Sequence, residues 1–94
     1  MGNDIRHDPE SQRFTTKTDH GQAVLAYSEI EPGTLDYRST VVPAEDRGQG
    51  IGEELVLFAL AWARENDLHV IPSCPFVKRV IEEHPEHQPT IASG

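Results

Sequence analysis

Three glycines at alternate positions, Gly48, Gly50 and Gly52, follow Arg47 and stand directly before a long apolar stretch. Glycine lets a backbone turn tightly and approach a ligand with no Cβ in the way. A helix beginning at the last of them leaves its first N–H groups unpaired and outward, at the positive end of its dipole. Together these features make an anion site, most naturally for a pyrophosphate. Arg47 adds a cationic fork suited to phosphate oxygens. A dinucleotide-binding fingerprint needs a glycine where Glu53 stands and a parallel βαβ unit around it. A P-loop needs Lys and Ser/Thr after its last glycine, and neither follows. Without those motifs the glycines could also form a plain tight turn.

The second reactive position is Cys74, between Ser73 and Pro75 and just ahead of an amphipathic segment. A thiol near a helix N-terminus can be activated toward thiolate, and so can donate a proton or accept an acyl group. The alternative is a small buried hydrophobe. His84 and His87 lie three apart, but Pro85 breaks the segment between them and no thiol or further His–carboxylate set accompanies them. His84 therefore reads as a cap or a substrate-side polar group rather than a metal ligand. A Cys74–His84 hydrolase pair lacks any orienting third residue that spacing can name. His20 reads as a turn residue, and Phe58 and Trp62 as core.

The elements that position these residues follow from periodicity. Residues 1–12 are polar and without pattern, a loose lead-in. Phe14, Thr16 and Thr18 alternate with Arg13, Thr15 and Lys17, which predicts a half-buried strand. Asp19-His20-Gly21 is a turn. Gln22–Ile30 is a longer strand with Ala23, Leu25 and Tyr27 on one face. Glu31-Pro32-Gly33-Thr34 turns the chain again. Leu35–Val42 is a third strand, with Leu35, Tyr37, Ser39 and Val41 opposite Asp36, Arg38, Thr40 and Val42. The short links make an antiparallel meander, stopped by Pro43. The helix after Gly52 runs to about Asn66, and its apolar body predicts packing on a sheet with a further cover outside. His69-Val70-Ile71 is a short strand, and 76–83 a short amphipathic helix ended by His84-Pro85. Residues 13–87 then form the single α/β domain, and 88–94 a tail.

Composition narrows the partners. The net charge is −8 with no basic cluster longer than Lys78-Arg79, which speaks against nucleic acid. The acidity serves solubility or favours a cationic substrate such as an amine. The longest apolar run, Leu55–Ala63, has nine residues, too few to span a bilayer. Met1–Arg6 has no apolar core of a secretory signal, and Arg6 spoils a myristoylation start. One cysteine excludes an internal disulfide and suits the cytosol. No membrane partner is expected, and the chain is expected to be a monomer or weak dimer.

Val41-Val42-Pro43, then Arg47-Gly48-Gln49-Gly50-Ile51-Gly52, then an apolar helix, resembles motif A of the GNAT superfamily of N-acetyltransferases, in which Gln/Arg-x-x-Gly-x-Gly/Ala is met by Arg47, Gly50 and Gly52. Val70-Ile71-Pro72-Ser73-Cys74-Pro75-Phe76-Val77, followed by His84-Pro85-Glu86, is similar to a branch of very small GNAT-like proteins. The resemblance covers roughly 13–87. It implies a minimal GNAT fold: an antiparallel meander plus a splayed parallel strand, with two helices packed on the sheet. The ligand it implies is acetyl-CoA. The edge of the third strand at Val41 and Val42 would hold the pantetheine arm and polarise the thioester carbonyl through a backbone N–H. The N–H groups of Gly48, Gln49, Gly50, Ile51 and Gly52 would hold the pyrophosphate. Cys74, Phe76 and Val77 would line the wall near the sulfur, with Cys74 handling the thiolate. Two departures stand out. Only Asp19-His20-Gly21 separates the first two strands read here, where ordinary members carry acceptor-binding helices. The last helix has Val80 and Ile81 where many relatives have a thiolate-protonating tyrosine. Two functions follow: an enzyme that transfers acetyl to an unidentified amine, or a CoA-binding module with little acceptor chemistry.

Overall fold

In the computed structural model, which describes residues 4–86, the chain forms one mixed sheet with two helices. Strands β1 (Ile5–Asp8), β2 (Arg13–Thr18), β3 (Gly21–Glu31) and β4 (Thr34–Val41) lie in sequence order as an antiparallel meander. A 3₁₀ turn at Ala44–Asp46 leads to α1 (Ile51–Glu65), which crosses over to β5 (His69–Ile71), parallel to β4 at the sheet edge. Helix α2 (Pro75–Glu83) follows, with Pro75 in its first turn, where a missing N–H costs nothing.

One face of the sheet carries the core. Phe14, Ala23, Leu25, Tyr27, Leu35, Tyr37 and Val70 are buried there against Leu55, Val56, Ala59, Leu60 and Ala63 of α1 and Val77, Val80 and Ile81 of α2. The Tyr37 hydroxyl is buried and donates to the Ala59 carbonyl at 2.7 Å, locking β4 under the middle of α1. Burial pushes the Tyr37 pKa far above the ordinary phenol value.

Three sequence expectations are corrected. Residues 5–8 are not part of a loose lead-in but an edge strand, pairing Ile5 with Thr16 and His7 with Phe14. Its inward side holds only Ile5 and His7, and a histidine does not register as apolar in a period-2 pattern. Its ring nonetheless stacks on Phe14 at 4.3 Å and meets Trp62 edge-on at 4.4 Å. Helix α1 has no outer cover among the described residues. Phe58, read as core, is 42% exposed, and Trp62 is half-buried; both set their edges against Phe14. The helix is apolar nearly all round because its flanks close over β1 and β2.

The third correction bears on the site. The register runs Leu25↔Thr40, Ala26↔Ser39, then Tyr27↔Tyr37, so Arg38 is an extra residue in β4. Such a bulge reverses the alternation beyond it. Ser39 and Val41 leave the face of Leu35 and Tyr37, and Thr40 and Val42 replace them on the helix side. On its other side β4 pairs with β5 only from Thr34 to Asp36, followed by one bond from the Cys74 N–H to the Tyr37 carbonyl at 3.0 Å. Beyond Tyr37 that edge of β4 has no strand partner among the described residues, because Pro72 ends β5 and α2 turns away.

Candidate functional site

The space left by this divergence is a cavity of about 520 Å³ between β4, the start of α1 and one face of α2. Thr40 of β4 and Val42 just after it form part of its wall, and Arg47, Gly48, Gly50, Ile51, Gly52 and Glu53 form the end where α1 begins. From α2 come Phe76, Arg79, Val80 and Glu83. These stand at i, i+3, i+4 and i+7, a single helical stripe.

The three glycines of the loop do different jobs. Gly48 (φ +84°) and Gly50 (φ +80°) take left-handed conformations that L-residues adopt only at a penalty. Gly50 is the N-cap of α1 and offers no capping side chain, so the N–H groups of Ile51, Gly52 and Glu53 start the helix without a carbonyl four residues back. The first such bond runs from Glu54 N–H to the Gly50 carbonyl at 3.0 Å. Gly52 has ordinary helical backbone and is required by packing instead. A Cβ there would lie 3.2 Å from the Phe76 ring and 3.3 Å from Val42, so β4, α1 and α2 meet at this residue.

The loop is held from behind. Asp46 is buried to 1% exposure and accepts from the His20 backbone N–H at 3.1 Å and from its Nδ1 at 2.9 Å. These bonds pin the loop to the β2–β3 turn, and the hydrogen bond from the His20 side chain, with other contributions, holds the Asp46 carboxyl below its ordinary range. Arg47 is exposed and lines the cavity, and its Nε donates to the Val42 carbonyl at 3.2 Å. Arg79 brings a second guanidinium, 5.8 Å above the Phe76 ring centroid. Of the three carboxylates in the lining, Asp46 is bonded to His20, Glu53 lies 3.2 Å from His84 Nε2, and Glu83 ends the α2 stripe. The arrangement suits an anion at the α1 end and an apolar chain along Val42, Phe76 and Val80.

Of the residues singled out from sequence, Val42, Arg47, Gly48, Gly50, Ile51, Gly52 and Phe76 line this cavity. Val41 and Gln49 are exposed outside its lining, and Val77 is fully buried in the core. Cys74 is 6% exposed at the N-cap of α2, behind the wall, with Sγ 3.8 Å from the Thr40 hydroxyl. His84 sits between Glu53 and Glu86, at 3.2 and 3.6 Å. Among the described residues no group of His, Cys, Asp and Glu could hold a metal, and His87 lies outside them. The sequence reading did not assign Thr40, Asp46, Arg79 or Glu83 to the site. The stripe spacing from Phe76 could have found Arg79 and Glu83; Thr40 depends on a bulge that no local pattern announces.

A family model described as GCN5-related N-acetyl-transferase matches residues 13–90. The chain belongs to the GCN5-related N-acetyltransferase family. It is 31% identical over 83 residues to Protein NATD1 of Bos taurus and to that of Homo sapiens, spanning 86% of this chain and 74% of each relative. Protein NATD1 of Danio rerio is 29% identical over 86 residues, 89% of this chain and 78% of the relative. The solution structure of a GCN5-like putative N-acetyltransferase from Staphylococcus aureus matches with a TM-score of 0.75 at 28% identity, covering 100% of this chain and 93% of that one. Neither residues 9–12, between β1 and β2, nor residues 19–20, between β2 and β3, contain a helix. Helix α2 presents Val80, not a hydroxyl, to the cavity, and Ile81 is core. No helix among the described residues is long and apolar enough to cross a membrane.

Proposed function

We propose that this protein binds acetyl-CoA in the β4–α1–α2 cavity and transfers the acetyl group to an amine. The observation that carries the reading is the uncapped start of α1, opening into a cavity that Arg47 and Arg79 also line and to which Phe76 and Val80 give an apolar wall. The N–H groups of residues 48–52 supply donors for a pyrophosphate, and the two guanidinium groups add charge. The open edge of β4 at Val41 and Val42 offers backbone groups to an extended amide-bearing arm, as an added strand would find them. Phe76 gives the far wall its apolar face, with Cys74 and Val77 packed behind it. Acetyl-CoA, when bound, supplies an acetyl group activated as a thioester. The protein's part is to hold it against a β4 N–H that stabilises the developing oxyanion while the amine attacks. A net charge of −8 agrees with a cationic acceptor, whether a small amine, a polyamine or a lysine. The single, unpaired cysteine agrees with a cytosolic setting.

A second reading, a CoA-binding module without efficient transfer, draws on one observation: neither link that could carry acceptor-binding helices does so. Thermal shift tests what the two share. CoA and acetyl-CoA should raise the melting temperature, with about 2.7 kcal/mol of linkage at ligand 100-fold above Kd, and NAD and ATP should do so far less. No shift with millimolar CoA, or an equal one with NAD, would end both. Acetyl-CoA turnover against a panel of amines then separates them.

A further inference from the structure

Cys74 is the residue that the family resemblance sets beside the thioester, yet it is nearly buried and outside the cavity lining. Its sulfur meets the hydroxyl of Thr40, a residue that does line the cavity. The Arg38 bulge puts Thr40 on the helix side, opposite buried Leu25, and Thr40 forms part of the cavity wall. Cys74 Sγ lies 3.8 Å from Thr40 Oγ1, within reach of a hydrogen bond that the thiol can donate. A hydroxyl has one hydrogen to give and two lone pairs to receive with. With Oγ1 accepting from the thiol, and no acceptor among the described residues for the Thr40 hydrogen, that hydrogen is left for the cavity.

We propose that the Thr40 hydroxyl is the hydrogen-bond donor to the leaving sulfur, and that Cys74 is a positioning residue that fixes its direction. This rests on the acetyltransferase reading above. In the reaction the amine nitrogen forms the new C–N bond and releases its proton to water. The C–S bond breaks, and its electron pair goes to sulfur. The thiolate is stabilised by the hydrogen bond from Thr40 and is protonated from water, so Thr40 and Cys74 both keep their own hydrogens. This assigns to β4 the stabilisation of sulfur that α2, with Val80 and Ile81, has no hydroxyl to supply.

Two measurements test this. Because Cys74 is the only cysteine, the infrared S–H stretch of the protein belongs to it alone. Thr40→Val, nearly isosteric, should move that band to the position of an unbonded thiol, and Thr40→Ser should leave it near wild type. In turnover, Thr40→Val should lower kcat about 10²-fold, the scale for one lost donor to developing charge, with KM nearly unchanged. Thr40→Ser should restore most of that rate, and Cys74→Ala should lower kcat about fivefold, the scale of one ordinary hydrogen bond. An unmoved S–H band in Thr40→Val, or wild-type kcat in a folded Thr40→Val protein, would overturn the assignment and leave the acetyltransferase reading intact. A wild-type protein that binds no CoA and acetylates no amine would overturn both.

Discussion

The sharpest test of the loop is a series at Gly50. This residue caps α1 with φ +80° and ψ 8°, and a Cβ built on it meets nothing within 4 Å. Any penalty for substitution in the unliganded protein is therefore a backbone penalty. An alanine in left-handed backbone is disfavoured by roughly 1–2 kcal/mol. Against that, alanine restricts the unfolded chain and recovers about 0.4–1 kcal/mol. The net for Gly50→Ala is about 1 kcal/mol of destabilisation, or a fall in Tm of roughly 4–8 °C for a domain of this size. Gly50→Asn should recover most of it, because a short amide side chain tolerates this conformation. Gly50→Val should be worse than alanine, and where it folds its branched side chain occupies the space assigned to phosphate. Circular dichroism melts measure the first effect, and calorimetric titration with CoA the second. Alanine and asparagine variants that melt together with wild type would refute the backbone argument. A folded Gly50→Val protein with wild-type affinity for CoA would move the phosphate site elsewhere.

Other outcomes follow from the same geometry. Arg47→Ala and Arg79→Ala should each weaken CoA binding by about 1.5–3 kcal/mol at low salt and by less as salt screens them, while Arg6→Ala on β1 should leave Kd unchanged in titration calorimetry. Stability should fall with acid in two stages. Burial, partly offset by Asp8, lowers the His7 pKa in the fold, so the unfolded chain takes the proton first. That contribution is complete above about pH 6.5 and is lost as pH falls from there through the depressed pKa; His7→Phe should flatten this part of a Tm–pH curve. Asp46 behaves as a carboxylate whose pKa is lowered in the fold, so its contribution holds above about pH 3.9 and disappears only below it.

How much of this could be read from the residues depends on the range of the cause. The meander, the glycine loop and both helices were legible because their signals are local: alternating Phe14 and Thr16, a Pro-Gly turn, glycines ahead of an apolar run. The sheet order, with β5 parallel beside β4, came through the resemblance. What stayed hidden was set by contacts distant in sequence. β1 is a strand because His7 finds Phe14 and Trp62. Asp46 looked like a loop residue because its partner, His20, lies 26 positions away. The bulge at Arg38 left no mark in the alternation, and one extra residue was enough to exchange Ser39 and Val41 for Thr40 and Val42 on the functional side. Where sequence gave residue types correctly but the wrong face, the fault was a register shift, which only the paired strand can reveal.

The position of Trp62 gives the molecule a reporter of its own. It is the only tryptophan, and it touches the ring of His7 on β1 rather than any group of the cavity. Its emission therefore follows the seating of the edge strand. A loss of that signal before the loss of helical dichroism would mean that β1 peels away while the β4–α1–α2 layer still stands. The half of the protein proposed to bind CoA would then survive the detachment of the strand at the opposite edge.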